Sequence, residues 1–84
     1  MAEQSIHVRY FAAAAEAAGR TDECVHVISG ATLGELRAVL IDRHGPRMAQ
    51  VLSVAAFLQG NELIRDPDAP AAPHVDVLPP FAGG

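Results

Sequence analysis

Apolar and polar residues alternate at the start of the chain, where Ile6, Val8 and Tyr10 interleave with His7, Arg9 and Phe11. That period of two predicts a first strand with one apolar face. Ala12 to Ala18 is alanine-rich, carries Glu16 and stops at Gly19, a pattern that fits either a short helical turn or a wide hairpin connection. From Glu23 to Ile28, Val25 and Val27 alternate with Cys24 and His26, which predicts a second strand paired antiparallel to the first. Gly30 and Ala31 break it.

The period then changes. Thr32-Leu33-Gly34-Glu35 has the spacing of a capping box, in which the Thr hydroxyl meets an orphan helix N–H and the Glu side chain reaches back to the cap. Leu33, Leu36, Val39 and Leu40 follow on one helical stripe, with Arg37 and Asp42 off it, and Gly45-Pro46 supplies the stop. The apolar run Val51 to Leu58, with β-branched and aromatic members, predicts a third strand. Gln59-Gly60-Asn61 then turns into a short strand, Glu62 to Ile64. Asp66 to Pro73, with its three prolines and two aspartates, is a loop, and Val75 and Val77 alternate with His74, Asp76 and Leu78 in a last strand.

One amphipathic helix can bury its stripe only by lying across one face of the sheet, so the order strand, strand, helix, strand, short strand, strand predicts a two-layer α+β fold. The closing valine strand is expected beside strand one. Residues 1–78 are then one domain, with no repeat or second domain, and residues 79–84 a separate extended tail. Pro79 and Pro80 fix φ and lack N–H groups, so they cannot continue a sheet ladder, and the segment should leave the fold as a stiff strut. Gly83 and Gly84 carry no Cβ and can enter a channel too narrow for most other residues.

Composition narrows the function. Eighty-four residues, half of them apolar, allow one compact core but leave little material for a catalytic cleft, so no active site of its own is expected. A formal charge of −4 and six scattered arginines argue against nucleic acid as partner. No apolar run approaches a membrane span, no leader pattern is evident, and one cysteine, Cys24, cannot form an internal disulfide. A cytoplasmic protein is expected. There is no lysine, so the chain offers neither a Schiff-base amine nor a side-chain acceptor for an isopeptide bond.

The opening Val8-Arg9-Tyr10-Phe11-Ala12, the helix start Thr32-Leu33-Gly34-Glu35-Leu36 and the ending Leu78-Pro79-Pro80-Phe81-Ala82-Gly83-Gly84 resemble the MoaD family, the small subunit of molybdopterin synthase. The similarity spans nearly the whole chain, and the closing Pro-Pro-x-x-Gly-Gly is its most specific part. It implies a β-grasp, ubiquitin-like fold: one mixed sheet with a single main helix packed across one face. It also implies a sulfur carrier in molybdenum cofactor biosynthesis. The carboxylate of Gly84 would be adenylated by a MoeB-type activating enzyme, which uses the ATP, and converted to a thiocarboxylate with sulfur from a donor protein. No cofactor would be bound by the chain itself. The tail, with Pro79, Pro80, Ala82 and Gly83, would then enter a MoaE-type large subunit and give sulfur to cyclic pyranopterin monophosphate.

Two apolar side chains fall outside the core pattern. Phe11 and Leu78 point away from Ile6, Val8, Tyr10, Val75 and Val77, and with Phe81 they make a candidate partner-binding patch at the root of the tail. His7, His26, His74, Cys24 and Asp76 share that outer face, but lacking close local pairs they read as a solvated strand face and not as a metal site. Alternative functions are a sulfur carrier for thiamine, cysteine or tRNA thiolation, and a ubiquitin-like protein modifier or interaction module.

Overall fold

The computed structural model describes residues 2–80. In chain order these form β1 (Glu3–Tyr10), α1 (Ala13–Ala18), β2 (Asp22–Ile28), α2 (Leu33–His44), α3 (Pro46–Leu52), β3 (Ala56–Gln59), β4 (Glu62–Ile64) and β5 (His74–Leu78). The strands make one mixed sheet in the order β2-β1-β5-β3-β4. β1 and β2 form an antiparallel hairpin in which Ile6 faces Val25, and β5 runs parallel to β1 with Val8 opposite Val75 and Tyr10 opposite Val77. β3 lies antiparallel on the other flank of β5, with Phe57 opposite Val77. The last strand is therefore the central one.

The period-two residues all turn to the same side. Ile6, Val8, Tyr10, Val25, Val27, Phe57, Val75 and Val77 are buried beneath Leu33, Leu36 and Leu40 of α2, Met48 and Leu52 of α3 and Ala14 of α1. Each such side chain taken out of water contributes about 1.5–3 kcal/mol, enough for the sum to set which face is covered. The opposite face carries His7, Arg9, Cys24, His26, His74, Asp76 and Leu58, and no helix among the described residues covers it.

The helix start forms as its sequence dictates. Thr32 Oγ1 accepts the Glu35 amide at 3.1 Å, and Glu35 Oε1 accepts the Thr32 amide at 3.1 Å. Gly45 ends α2 with φ 86°, a left-handed value that favours glycine, and donates its N–H to Ile41 O at 2.7 Å. Gly34 answers a different demand: a Cβ there would meet Pro67 O at 3.1 Å, so the loop after β4 closes directly on the first turn of α2.

Two expectations need correction. Pro46 ends one helix but begins another, because proline at the first helical position gives up only an N–H that has no intrahelical partner. There are thus three helices among the described residues, α2 being the longest, instead of one. The third strand begins at Ala56 and not at Val51. Val51 and Leu52 belong to α3, where Met48 and Leu52 are buried one helical turn apart, a period hidden beneath the β-branched residue in the run. Arg37, off the helical stripe, and Val39, on it, are both half-buried. The alanine-rich segment, left open between two forms, is the helix α1.

Candidate functional site

The site begins where β1 and β5 run side by side on the uncovered face. Arg9 Nε donates to Asp76 Oδ1 at 2.8 Å and Nη2 donates to Oδ2 at 2.7 Å, a two-pronged pair that ties the two strands together. Hydrogen bonding to Asp76, and then its charge, raise the Arg9 pKa above its ordinary value, so the guanidinium stays charged at any working pH. Asp76 is only 9 % exposed although it sits on the open face, since Arg9 lies over it. One turn of the pleat away, His7 Nε2 lies 2.8 Å from Asp22 Oδ2, and the rings of His7 and His74 meet edge to face at 5.7 Å. These groups, with Leu58 and Gly60, line a shallow hollow of about 370 Å³.

The Arg9 guanidinium also stands over the Phe11 ring, 5.5 Å from its centroid. Because Tyr10 is opposite Val77 in parallel register, Phe11 and Leu78 are the next positions along the two neighbouring chains. Both are half-buried, not fully exposed as an open patch would be. The large apolar residues most exposed among those described are Ile28, Val54 and Leu63, none of them in this cluster. β5 ends at Leu78, which pairs with Ala56; Pro79 is buried and Pro80 exposed. Phe81, Ala82, Gly83 and Gly84, which carry the proposed tail chemistry, lie outside the described residues.

His7, His26, His74, Cys24 and Asp76 do share the outer face. Among the described residues no three His, Cys, Asp or Glu side chains converge as a metal site would require. Among the described residues no helix is long and apolar enough to cross a membrane.

A second polar cluster went unnoticed in the sequence. Glu23 lies on the same face of β2 as Val25 and Val27, with its side chain 2 % exposed. Tyr10 Oη donates to its Oε2, which also sits 2.5 Å from His44 Nε2, while Arg43 Nε lies 2.9 Å and Arg20 Nη1 3.7 Å from Oε1. Burial pushes the Glu23 pKa up, but the hydrogen bonds from Tyr10 and His44 and the charges of His44 and Arg43 outweigh it, and the net shift is downward. Burial, then the hydrogen bond to Glu23 and its charge, raise the Tyr10 pKa. The alternation itself held the signal: a carboxylate in phase with buried valines must find partners.

No family model and no curated protein matches the chain in sequence. Solved structures do. SAMP1 from Haloferax volcanii superposes with a TM-score of 0.76 at 26 % identity, covering 95 % of this chain and 99 % of that one. The complex of subunits 1 and 2 of the molybdopterin-converting factor from Helicobacter pylori gives 0.63 at 26 % identity, over 96 % and 100 %. A Pyrococcus furiosus protein assigned as molybdopterin-converting factor subunit 1 gives 0.78 at 19 % identity, over 93 % and 99 %. The fold is a ubiquitin-like β-grasp. In this β-grasp the central strand β5 ends at Leu78, flanked by β1 and β3, so the strand that precedes Pro79 is held by neighbours on both sides.

Proposed function

We propose that the protein is a sulfur carrier whose Gly84 carboxylate is adenylated and thiocarboxylated, and that it donates this sulfur as the small subunit of a molybdopterin synthase. The observation that carries the reading is the position of β5: the strand leading into Pro79-Pro80-Phe81-Ala82-Gly83-Gly84 is the middle strand of the sheet, paired on both edges. A rigid root with a side-chain-free tip suits a terminus that must be placed in other proteins' active sites. The likeness to the Helicobacter pylori complex supports a large-subunit partner of the MoaE type.

The chemistry is simple for this chain. A carboxylate is ionised at neutral pH and a poor electrophile. One of its oxygens attacks the α-phosphorus of ATP in the activating enzyme, expelling pyrophosphate and leaving an acyl adenylate. A sulfide-level nucleophile from a donor protein then attacks the Gly84 carbonyl carbon, and AMP departs with the original carboxylate oxygen. The product is a thiocarboxylate. Partners supply the orientation and oxyanion stabilisation for each step, and this chain supplies a deliverable end.

A second reading is favoured by the likeness to SAMP1, named in another solved form as a small archaeal modifier protein: the same activated glycine would be joined to amines. Incubating the protein with ATP, the activating enzyme, a sulfur donor, the large subunit and cyclic pyranopterin monophosphate separates the two. Sulfur in the pterin and a regenerated carboxylate support the carrier. Ladders of higher-mass conjugates without pterin sulfuration support the modifier.

A further inference from the structure

Four of the six arginines lie within 4.0 Å of a carboxylate: Arg9 with Asp76, Arg20 and Arg43 with Glu23, and Arg47 with Glu16. Arg37 and Arg65 have no such pairing among the described residues, although the chain carries ten acidic side chains. These two line one hollow of about 240 Å³ on the helix-covered side of the sheet. Its floor is apolar, with Leu33, Leu52 and Phe57, and its rim includes Pro67. The surface of His7, Arg9 and Asp76 lies across the sheet and shares none of these residues.

Arg37 lines the hollow, and its Nε, closed off from solvent behind the lining, has no hydrogen-bond partner among the described residues. A buried donor without an acceptor is costly, and its presence marks a place where an acceptor belongs. The neighbouring loop does not provide one: Asp66 Oδ1 accepts the Asp68 amide at 2.9 Å, and Pro67 O accepts the Gly34 amide at 2.8 Å. Gly34 keeps the loop close, since a Cβ there would press on Pro67 at 3.1–3.3 Å, and so fixes the hollow's width.

We infer that this hollow binds the oxyanion group of a small molecule, a carboxylate or a phosphate, between Arg37 and Arg65, with the molecule's apolar part against Leu33, Leu52 and Phe57. A planar guanidinium with free donors is suited to such groups, and the small size of the hollow favours a metabolite-sized occupant over a protein surface. The inference does not depend on the sulfur-carrier reading.

The test is an amide NMR titration of the whole chain with sodium phosphate and, separately, sodium benzoate, at ionic strength held constant with sodium chloride. Saturable shifts at Gly34 and Phe57 are expected, with R37Q and R65Q each weakening binding by about tenfold or more through loss of charge-assisted hydrogen bonds. Tighter benzoate than phosphate binding identifies a carboxylate on an apolar body; the reverse identifies a phosphate. Arg65 is exposed, so R65Q decides the matter even if R37Q does not fold. Non-saturating shifts with both salts, or binding equal in wild type and R65Q, would overturn the proposal.

Discussion

Arg9 and Asp76 grip each other through two parallel hydrogen bonds of 2.8 and 2.7 Å across the β1–β5 seam, on the face of the sheet that no helix covers. The pair joins the first strand to the strand that leads into the tail. Its Arg side is open to water, so salt should weaken it. A double-mutant cycle of Arg9→Ala and Asp76→Ala, followed by urea unfolding, should give a favourable coupling that shrinks as sodium chloride is raised. Zero coupling at low salt would mean that the fork is not an energetic link.

Glu23 gives the fold a pH dependence with a definite sign. Its pKa in the folded protein is lower than the ordinary value of 4.5, so its stabilising contribution is full above that value and is lost as the pH falls through the folded one. Glu23→Gln leaves the half-exposed Arg43 without its counter-charge and disturbs the buried hydrogen bonds of Tyr10 and His44, and should cost about 1–3 kcal/mol at neutral pH. It should also flatten the acid limb of stability against pH. An unchanged acid limb in urea unfolding of the variant would assign that limb to other carboxyls.

Tyr10 is the only tyrosine, so its ionisation can be followed by ultraviolet absorbance without interference. Its pKa is raised from the ordinary 10, which means stability is intact below that value and declines as the pH climbs through the folded one. Phenolate should appear only well above pH 10 and together with unfolding. Ionisation at the ordinary pH in a still-folded protein would contradict the hydrogen bond to Glu23.

How much of this was legible depended on local period. β1, β2 and β5 were visible because each buries alternate residues against a single helical layer, and α2 because its capping box and leucines agree. α3 was hidden because two turns of helix offer too few residues to establish a period and Val51 argues for a strand. The outer-face residues could be grouped from parity alone, yet that Arg9 meets Asp76 requires the parallel pairing of strands 67 positions apart in sequence. The half-burial of Arg37, which does lie off the stripe, was illegible for another reason. A long side chain just off an apolar stripe can lay its stem over the core, and sequence gives only the position of its Cα.

Ala12 is the one non-glycine residue with positive φ among those described, at φ 52° and ψ −124°, and it joins β1 to α1 close to Phe11. Such a conformation costs a residue with a Cβ on the order of 1–3 kcal/mol, part of which glycine loses again through its freer unfolded chain. Ala12→Gly should therefore raise stability by about 1 kcal/mol in chemical denaturation. A loss of stability would show that the turn is not strained.

The proposed docking patch groups Phe81 with the half-buried pair Phe11 and Leu78, and a buried aromatic anchor contributes about 2 kcal/mol or more. Phe81→Ala should weaken calorimetric binding to the large synthase subunit at least about tenfold while leaving the melting temperature nearly unchanged. Equal affinity, or a large drop in melting temperature, would remove Phe81 from the interface.

Whether Gly84 carries the sulfur is read from the intact mass of the protein after incubation with ATP, a MoeB-type activating enzyme and a sulfur donor. The wild-type chain and Cys24→Ser should both exchange one oxygen for sulfur on the terminal glycine, whereas a chain lacking Gly84 should not. An unchanged wild-type mass, or sulfur retained by the Gly84 deletion and lost from Cys24→Ser, would contradict the account.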